Sequence, residues 1–212
     1  VIFGLMAFGL LPVVIHGEID ISVGSTLAVG SVSFALLSEQ GIPAVVAIVI
    51  VLAFGGVLGA LNGVLVARFG LPSLAVTLGT LGAYRGIAFL LAGDAGVVVS
   101  DDGYLYAGNA EWGPVPFSLV LLVGAAVALG LVLSHTSFGR FGYAVGSNAD
   151  ASRLAAAPVV RTKLLGYVGA GAFAALAGIV WVGQYQSARG DNADGSILFT
   201  LTAVVLGGVS IK

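Results

Sequence analysis

Long apolar runs alternate along the chain with short clusters of charged and turn-forming residues. The runs cover residues 1 to 15, 21 to 38, 43 to 67, 73 to 92, 117 to 134, 164 to 183 and 196 to 211. They are continuously apolar and lack the alternation that a strand of a membrane barrel requires. At 1.5 Å per helical residue, most approach or span an apolar layer about 30 Å thick. The pattern predicts an all-α, polytopic transmembrane helical bundle of about seven segments. The first run opens at Val1 without an initiator Met, the last closes just before Lys212, and neither end has the n-region or cleavage site of a secretory signal. The expectation is a single transmembrane domain over residues 1–212, incomplete at both ends.

Basic residues resist translocation and collect on the cytoplasmic side, so they set the orientation. Loop 135 to 163 carries Arg140, Arg153, Arg161 and Lys163, whereas loop 93 to 116 carries Asp94, Asp101, Asp102 and Glu111 and no basic residue. The first is expected to be cytoplasmic and the second external. Alternating outward places Arg68 and Lys212 inside too, Arg189 outside and Arg85 within the membrane. Glu18 and Asp20 then fall on or below the inner side.

Composition narrows the class further. The chain is 58% hydrophobic and only 8% charged, with 33 glycines, too little polar material to cover a soluble globule of 212 residues. A net charge of −2 with scattered basic residues leaves no footprint for nucleic acid. Without cysteine there is no disulfide, no thiolate nucleophile and no Cys-ligated metal. His16 and His135 lie in different segments, and an isolated histidine at a segment boundary reads as an interfacial polar residue rather than a ligand. No metal site and no enzyme constellation is expected. The run Gly169 to Ala174 fits G-x-G-x-x-A but lies inside an apolar helix with no preceding strand, and no P-loop is present, so any ATP used is hydrolysed by another chain.

Glycine follows a helical spacing. Gly55, Gly59 and Gly63 recur at every fourth position, as do Gly166, Ala170, Ala174 and Gly178. Such rows let helix backbones approach where lipid supplies no hydrophobic drive between helices. Tight contact within one bundle is the favoured reading over a dimer seam.

Three stretches carry candidate chemistry. Gly17 to Ser25 places two carboxylates, two hydroxyls and two glycines between apolar runs, either as a broken helix with a polar turn or as an interfacial loop in which Asp20 caps helix 21 to 38. Within loop 135 to 163, Ser147 and Asp150 form an S-x-x-D capping box ahead of an Ala-rich run that Pro158 ends. This predicts a short cytoplasmic helix over 147 to 157 with Arg140 and Arg153 available to acidic partners, or a basic loop that only fixes topology. Arg85 is either a snorkelling anchor or a functional pairing residue. Asn62, Thr77, Thr80, Tyr84 and Gln184 are further intramembrane polar groups, able to line a route for a hydroxyl-rich solute or to bridge helices.

The segment Gly17-Glu18-Ile19-Asp20-Ile21-Ser22-Val23-Gly24-Ser25 resembles the permease subunits of bacterial ABC importers for monosaccharides, of the ribose, xylose, galactoside and rhamnose type. Four further blocks follow in the family's order: Gly59 to Val66; Val76 to Thr80 with Tyr84-Arg85-Gly86; Phe138-Gly139-Arg140 with Tyr143 to Asn148; and Val204 to Ile211. The resemblance implies a permease of the bacterial cytoplasmic (inner) membrane. It works with a cytoplasmic ATP-binding subunit that holds ATP and Mg, an extracytoplasmic sugar-binding protein and a second permease subunit, identical or different. It also implies that the chain itself holds no cofactor. The matched residues Gly139, Arg140, Gly146, Asn148, Asp150, Ala151 and Arg153 are the expected ATPase-coupling group. Glu18, Asp20, Ser22, Asn62, Thr77, Thr80 and Arg85 are the expected translocation pathway. Pro72-Ser73-Leu74 with Gly93-Asp94, and Ser187 to Asp191, look closest to rhamnose-type members. The chain departs from the family at Ala155-Ala156-Ala157-Pro158, where relatives often carry Ser-Gly-Ile, and at Ser147, where many have Gly. The rival expectations are an ion-coupled secondary transporter of a small polar solute using Glu18 and Asp20, and a purely structural membrane subunit.

Overall fold

The computed structural model describes residues 1–93 and 95–207. Among them are ten α-helices: α1 (Ile2–Ile15), α2 (Val23–Glu39), α3 (Ala44–Gly63), α4 (Ser73–Ala92), α5 (Asp102–Asn109), α6 (Phe117–His135), α7 (Ser137–Ser147), α8 (Ala149–Leu154), α9 (Val159–Tyr185) and α10 (Ile197–Leu206). A π-helical turn, Val64–Arg68, prolongs α3. Four helical stretches are long and apolar enough to cross a membrane: Ala44–Arg68, Ser73–Ala92, Phe117–His135 and Val159–Tyr185. The all-α polytopic bundle read from the apolar runs is the observed architecture. Asp94 and the end of the 196 to 211 run, with Ser210, Ile211 and Lys212, lie outside the described residues.

Proline sets four of the helix starts. Pro43, Pro72, Pro116 and Pro158 are the last non-helical residues before α3, α4, α6 and α9. A proline's fixed φ and missing N–H suit a helix start and disrupt a helix interior. Starting from Pro158, α9 takes in residues 159–163, which the charge pattern assigns to the loop. That loop is therefore shorter than expected and almost wholly helical.

Helix α9 is the centre. Of its apolar window 61% is buried, against 28%, 22% and 17% in α3, α4 and α6, whose remaining surface is left to lipid. Small residues on more than one side of α9 make this possible. A Cβ on Gly59 of α3 would overlap the carbonyl oxygen of Tyr167, and one on Gly171 would overlap that of Gly55. On another side, a Cβ on Gly178 would come within 2.7 Å of Leu27 O in α2, and one on Gly9 of α1 within 3.1 Å of Ala170 O. The two glycine rows thus serve the interior of one bundle, but they do not face each other. Gly55, Gly59 and Gly63 meet the Tyr167, Gly171 and Ala175 face of α9, while Gly166, Ala170 and Gly178 turn to α1, α2 and the link between them.

The end of the bundle away from α7 and α8, the one expected to face outward, is knitted by short elements in the 93 to 116 and 187 to 195 loops. Strands β1 (Val97–Val98) and β4 (Ser187–Ala188) pair antiparallel, as do β2 (Glu111–Trp112) and β3 (Val115–Pro116). Asp101 caps α5 by accepting from the N–H groups of Gly103 and Tyr104, and the Tyr104 hydroxyl donates to Ile42 O at 2.7 Å. These elements connect helix ends.

The α3–α9 contact makes a direct prediction. Gly59→Ala forces a methyl group into the Tyr167 backbone and costs about 1–3 kcal/mol, whereas Gly79→Ala meets open space within 4 Å. Thermal unfolding of the detergent-purified protein should show a lowered midpoint for the first variant and an unchanged or raised one for the second. Equal midpoints would remove the close contact from the account.

Candidate functional site

The segment expected to couple to an ATPase is two helices broken at Asn148. The capping box expected at Ser147 is corrected by one residue, and the single helix over 147 to 157 with it. Ser147 is the last residue of α7, where its hydroxyl sits at the wrong end of a helix to cap one. Asn148 instead adopts an extended conformation (φ −159°, ψ 104°), and its Oδ1 accepts from Ala151 N at 2.9 Å to start α8. Asp150 bonds Arg153 at 3.3 Å, an exposed pair. After Leu154 the chain leaves the helix through Ala156, with φ at +60°, ahead of Pro158.

One face of α7 is pressed onto the bundle by the absence of side chains. A Cβ on Gly139 would overlap Leu133 O at the end of α6, and one on Gly146 would overlap Ile15 O at the end of α1. The opposite face is free: Arg140, Tyr143, Asn148, Asp150, Ala151, Arg153 and Leu154 are exposed. The expected coupling residues thus divide into two glycines that seat α7 on the bundle and five exposed residues, Arg140 on α7 and Asn148, Asp150, Ala151 and Arg153 at or on α8.

His16 fills the space between. Its place at a segment boundary reads as interfacial, but it is only 3% exposed and neither ring nitrogen has a hydrogen-bond partner. A Cβ on Gly142 of α7 would stand 2.9 Å from Nε2, and one on Gly166 of α9 2.8 Å from Nδ1. The Phe138 ring closes the cage edge-on at 5.6 Å between centroids. Burial, reinforced by the Lys163 charge, lowers its pKa to about 4, so the imidazole is neutral at ordinary pH. Lys163 is itself in direct contact with the Glu18 carboxylate. His16 and Lys163 were not among the residues picked from sequence as functional. The alignment of Glu18 and Lys163 on the inner side was the available signal.

A buried polar seam joins the α1–α2 link to α3 and α4. Gly17, with φ at +77°, turns the chain out of α1. Asp20 Oδ1 then accepts from Ser22 N at 2.8 Å and Ser22 Oγ at 2.6 Å. Asp20 is buried and the N-cap of α2 is Ser22 without a side-chain cap bond, so the stretch is a buried polar turn and not an interfacial loop capped by Asp20. Asn62 Nδ2 donates to Ser22 Oγ at 2.9 Å, and the Tyr84 hydroxyl donates to Leu58 O at 2.9 Å, beside Asn62. Ser73 and Thr77 at the start of α4 bracket Ile19, with Ile19 N donating to Ser73 Oγ and Thr77 Oγ1 donating to Ile19 O, both at 3.3 Å.

The expected pathway residues therefore do not form one line. Asp20, Ser22, Asn62 and Thr77 belong to the seam. Glu18 is paired with Lys163, and the Thr80 hydroxyl bonds only to carbonyls of its own helix. Arg85 points to the outer end, where Nη1 donates to Gly190 O at 2.7 Å and Asn192 O at 2.8 Å. It is a pairing residue that holds a loop, not a free anchor. Among the described residues no cluster of His, Asp or Glu is placed to hold a metal ion.

Residues 1–212 match the family described as branched-chain amino acid transport system, permease component. The chain belongs to this inner-membrane family, and four of its described helical stretches are long and apolar enough to cross a membrane. It is 34% identical over 209 residues to the L-arabinose transport system permease protein AraH of Escherichia coli (strain K12), across 99% of this chain and 64% of the relative. To the autoinducer 2 import system permease protein LsrD of Photorhabdus luminescens it is 34% identical over 214 residues, across 98% of this chain and 64% of that protein. The LsrD of Salmonella typhi is 32% identical over 218 residues with the same coverage. The chain thus spans 64% of the length of these relatives. No solved structure matches it.

The His16 cage predicts a pH dependence. The unfolded chain binds a proton below pH 6.5 and the folded one only below about 4. Stability is therefore full above the upper value and falls as pH drops through this window, by about 3 kcal/mol in all. Melting of the wild type and of His16→Leu from pH 7.5 to 4 should show a steeper acid loss in the wild type. Parallel curves would mean that His16 is protonated in the folded state.

Proposed function

We propose that the chain is the membrane-spanning permease of an ATP-driven monosaccharide importer. It takes sugar from an extracytoplasmic binding protein and pairs with a second permease, identical or different. Its drive comes from a cytoplasmic ATP-binding subunit that holds ATP and Mg and bears on α7 and α8. The observation that carries this reading is the seat of α7. Gly146 puts that helix in backbone contact with Ile15 at the inner end of α1 and Gly142 lies against the His16 ring, while Arg140, Tyr143, Asp150, Arg153 and Leu154 are displayed away from the bundle. A push on the displayed face therefore reaches α1 directly through the Gly146–Ile15 backbone contact, and α9 through the caged His16 ring. Closure of the ATPases would rock these helices and expose the pathway to alternate sides.

The ion-coupled alternative needs carboxylates free to take a cation. Glu18 is already neutralised by Lys163 and Asp20 is engaged by Ser22, which weighs for the ATP-driven reading. The name of the E. coli relative favours a pentose and the sequence resemblance favours the rhamnose type, so L-arabinose, D-ribose, D-xylose and L-rhamnose form the substrate panel.

The test uses the complete transporter in proteoliposomes. Uptake should follow ATP and persist when ion gradients are collapsed. In Asp150→Ala/Arg153→Ala, stimulation of ATP hydrolysis by the loaded binding protein should fall about tenfold. The melting point should barely move, since an exposed pair contributes about 0–1 kcal/mol. Unchanged stimulation in the double variant would overturn the assignment of α8 as the coupling contact.

A further inference from the structure

At the outer end the 189 to 196 loop folds over the mouths of three helices and leaves a cavity of about 350 Å³. Phe3 of α1, Trp181 of α9 and Phe199 of α10 supply its aromatic surface, and Asp191, Asp194 and Ser196 of the loop supply its polar one. The volume lies within the range of small-molecule sites, about 300–1,000 Å³.

The loop is built and held. Arg85 ties the carbonyls of Gly190 and Asn192 to α4. The Asn192 side chain, 6% exposed, reaches Ser31 of α2 at 2.9 Å. With its amide oxygen turned to face its donors, Asn192 accepts from Trp181 Nε1 at 3.2 Å, which fixes the indole plane. Between them Ala193, buried and lining the cavity, is held at φ +58°, a left-handed conformation that a residue with a Cβ seldom adopts. Strain of this kind persists where its surroundings impose it, and it gathers at ligand clamps.

The charges choose the ligand. Asp191 accepts from Arg189 Nε at 3.2 Å and Asp194 lies 3.8 Å from Arg85 Nη2. Two guanidinium groups thus balance two carboxylates, which disfavours a bare cation or anion. The carboxylates keep lone pairs for hydroxyl donors, and the aromatic faces suit the C–H faces of a saturated ring. We propose that this pocket is an outer binding site for a neutral, hydroxyl-rich ligand of monosaccharide size. As a station for imported sugar it rests on the function proposed above; as a binding site it stands on its own geometry.

The experiment is saturation-transfer-difference NMR on the full-length permease in nanodiscs, without the binding protein. The probes are L-arabinose, D-ribose, D-xylose and L-rhamnose. At least one sugar should show transfer to its ring protons, reduced about tenfold in Trp181→Ala and in Phe199→Ala, and kept within about threefold in Trp181→Phe. No transfer from any of the four sugars, or equal transfer in both alanine variants, overturns the site. ATP-driven uptake by the complete transporter, measured in parallel, separates the two readings. Import with unaltered transfer in the alanine variants rejects the pocket and leaves the importer. Pocket-dependent transfer without ATP-driven import of any of the four rejects the importer and leaves the pocket.

Discussion

The structure depends on backbone touching backbone along α9. In lipid, helices gain little by hiding apolar surface from one another, so association has to come from van der Waals contact at short range. The missing Cβ atoms at Gly55, Gly59, Gly171 and Gly178 allow α2 and α3 to lie against α9 with main-chain atoms in contact, and Gly9 brings α1 in beside them. Every other feature is positioned from this bundle. The α1–α2 link is held where α1, α2 and α9 converge, and α7 and α9 close around the end of α1 to make the cage for His16.

The fold was legible because lipid imposes a one-dimensional rule. A spanning segment must be long, apolar and helical, and prolines at 43, 72, 116 and 158 mark where four helices begin. What faces what was not legible. A period-four row shows which residues are small but not which neighbour they meet, and α9 is small on several sides, so its row at 166, 170 and 178 serves α1 and α2 while a row one residue on serves α3. The cap at Asn148 escaped for a similar reason: Ser147 and Asn148 are both good caps, and tertiary seating of α7 through Gly142 and Gly146 decides between them.

The polar residues tell the same story. Asn62, Thr77, Tyr84 and Arg85 are legible as unusual because each is polar in an apolar run, yet sequence gives no distance between them. Placing a carboxylate at depth is costly unless it is hydrogen-bonded or paired. That constraint is met locally: Glu18 by Lys163, Asp20 by Ser22, and the Arg85 cation by two carbonyls and Asp194. Because each charge found its own partner, residues that look like one pathway in sequence form three separate sites in space.

Helix α4 links two of those sites, and this bears on how the molecule can move. At its inner end Ser73 and Thr77 hold the Ile19 backbone of the α1–α2 link; at its outer end Arg85 holds the Gly190 and Asn192 backbone of the pocket loop. Yet Gly79, Gly82 and Gly86 on the same helix meet nothing within 4 Å, and only 22% of its apolar window is buried. A helix fastened by polar bonds at both mouths and loosely packed between them resists sliding far less than α9, whose contacts are main chain to main chain. In the scheme proposed above, α7 presses on α1 and α9 from within, and α9 moves as a rigid body. The shift of the inner link is then carried to the outer loop along α4, and along α2 as well, whose Ser25 and Thr26 hydroxyls donate to Ser22 O and whose Ser31 meets the Asn192 side chain.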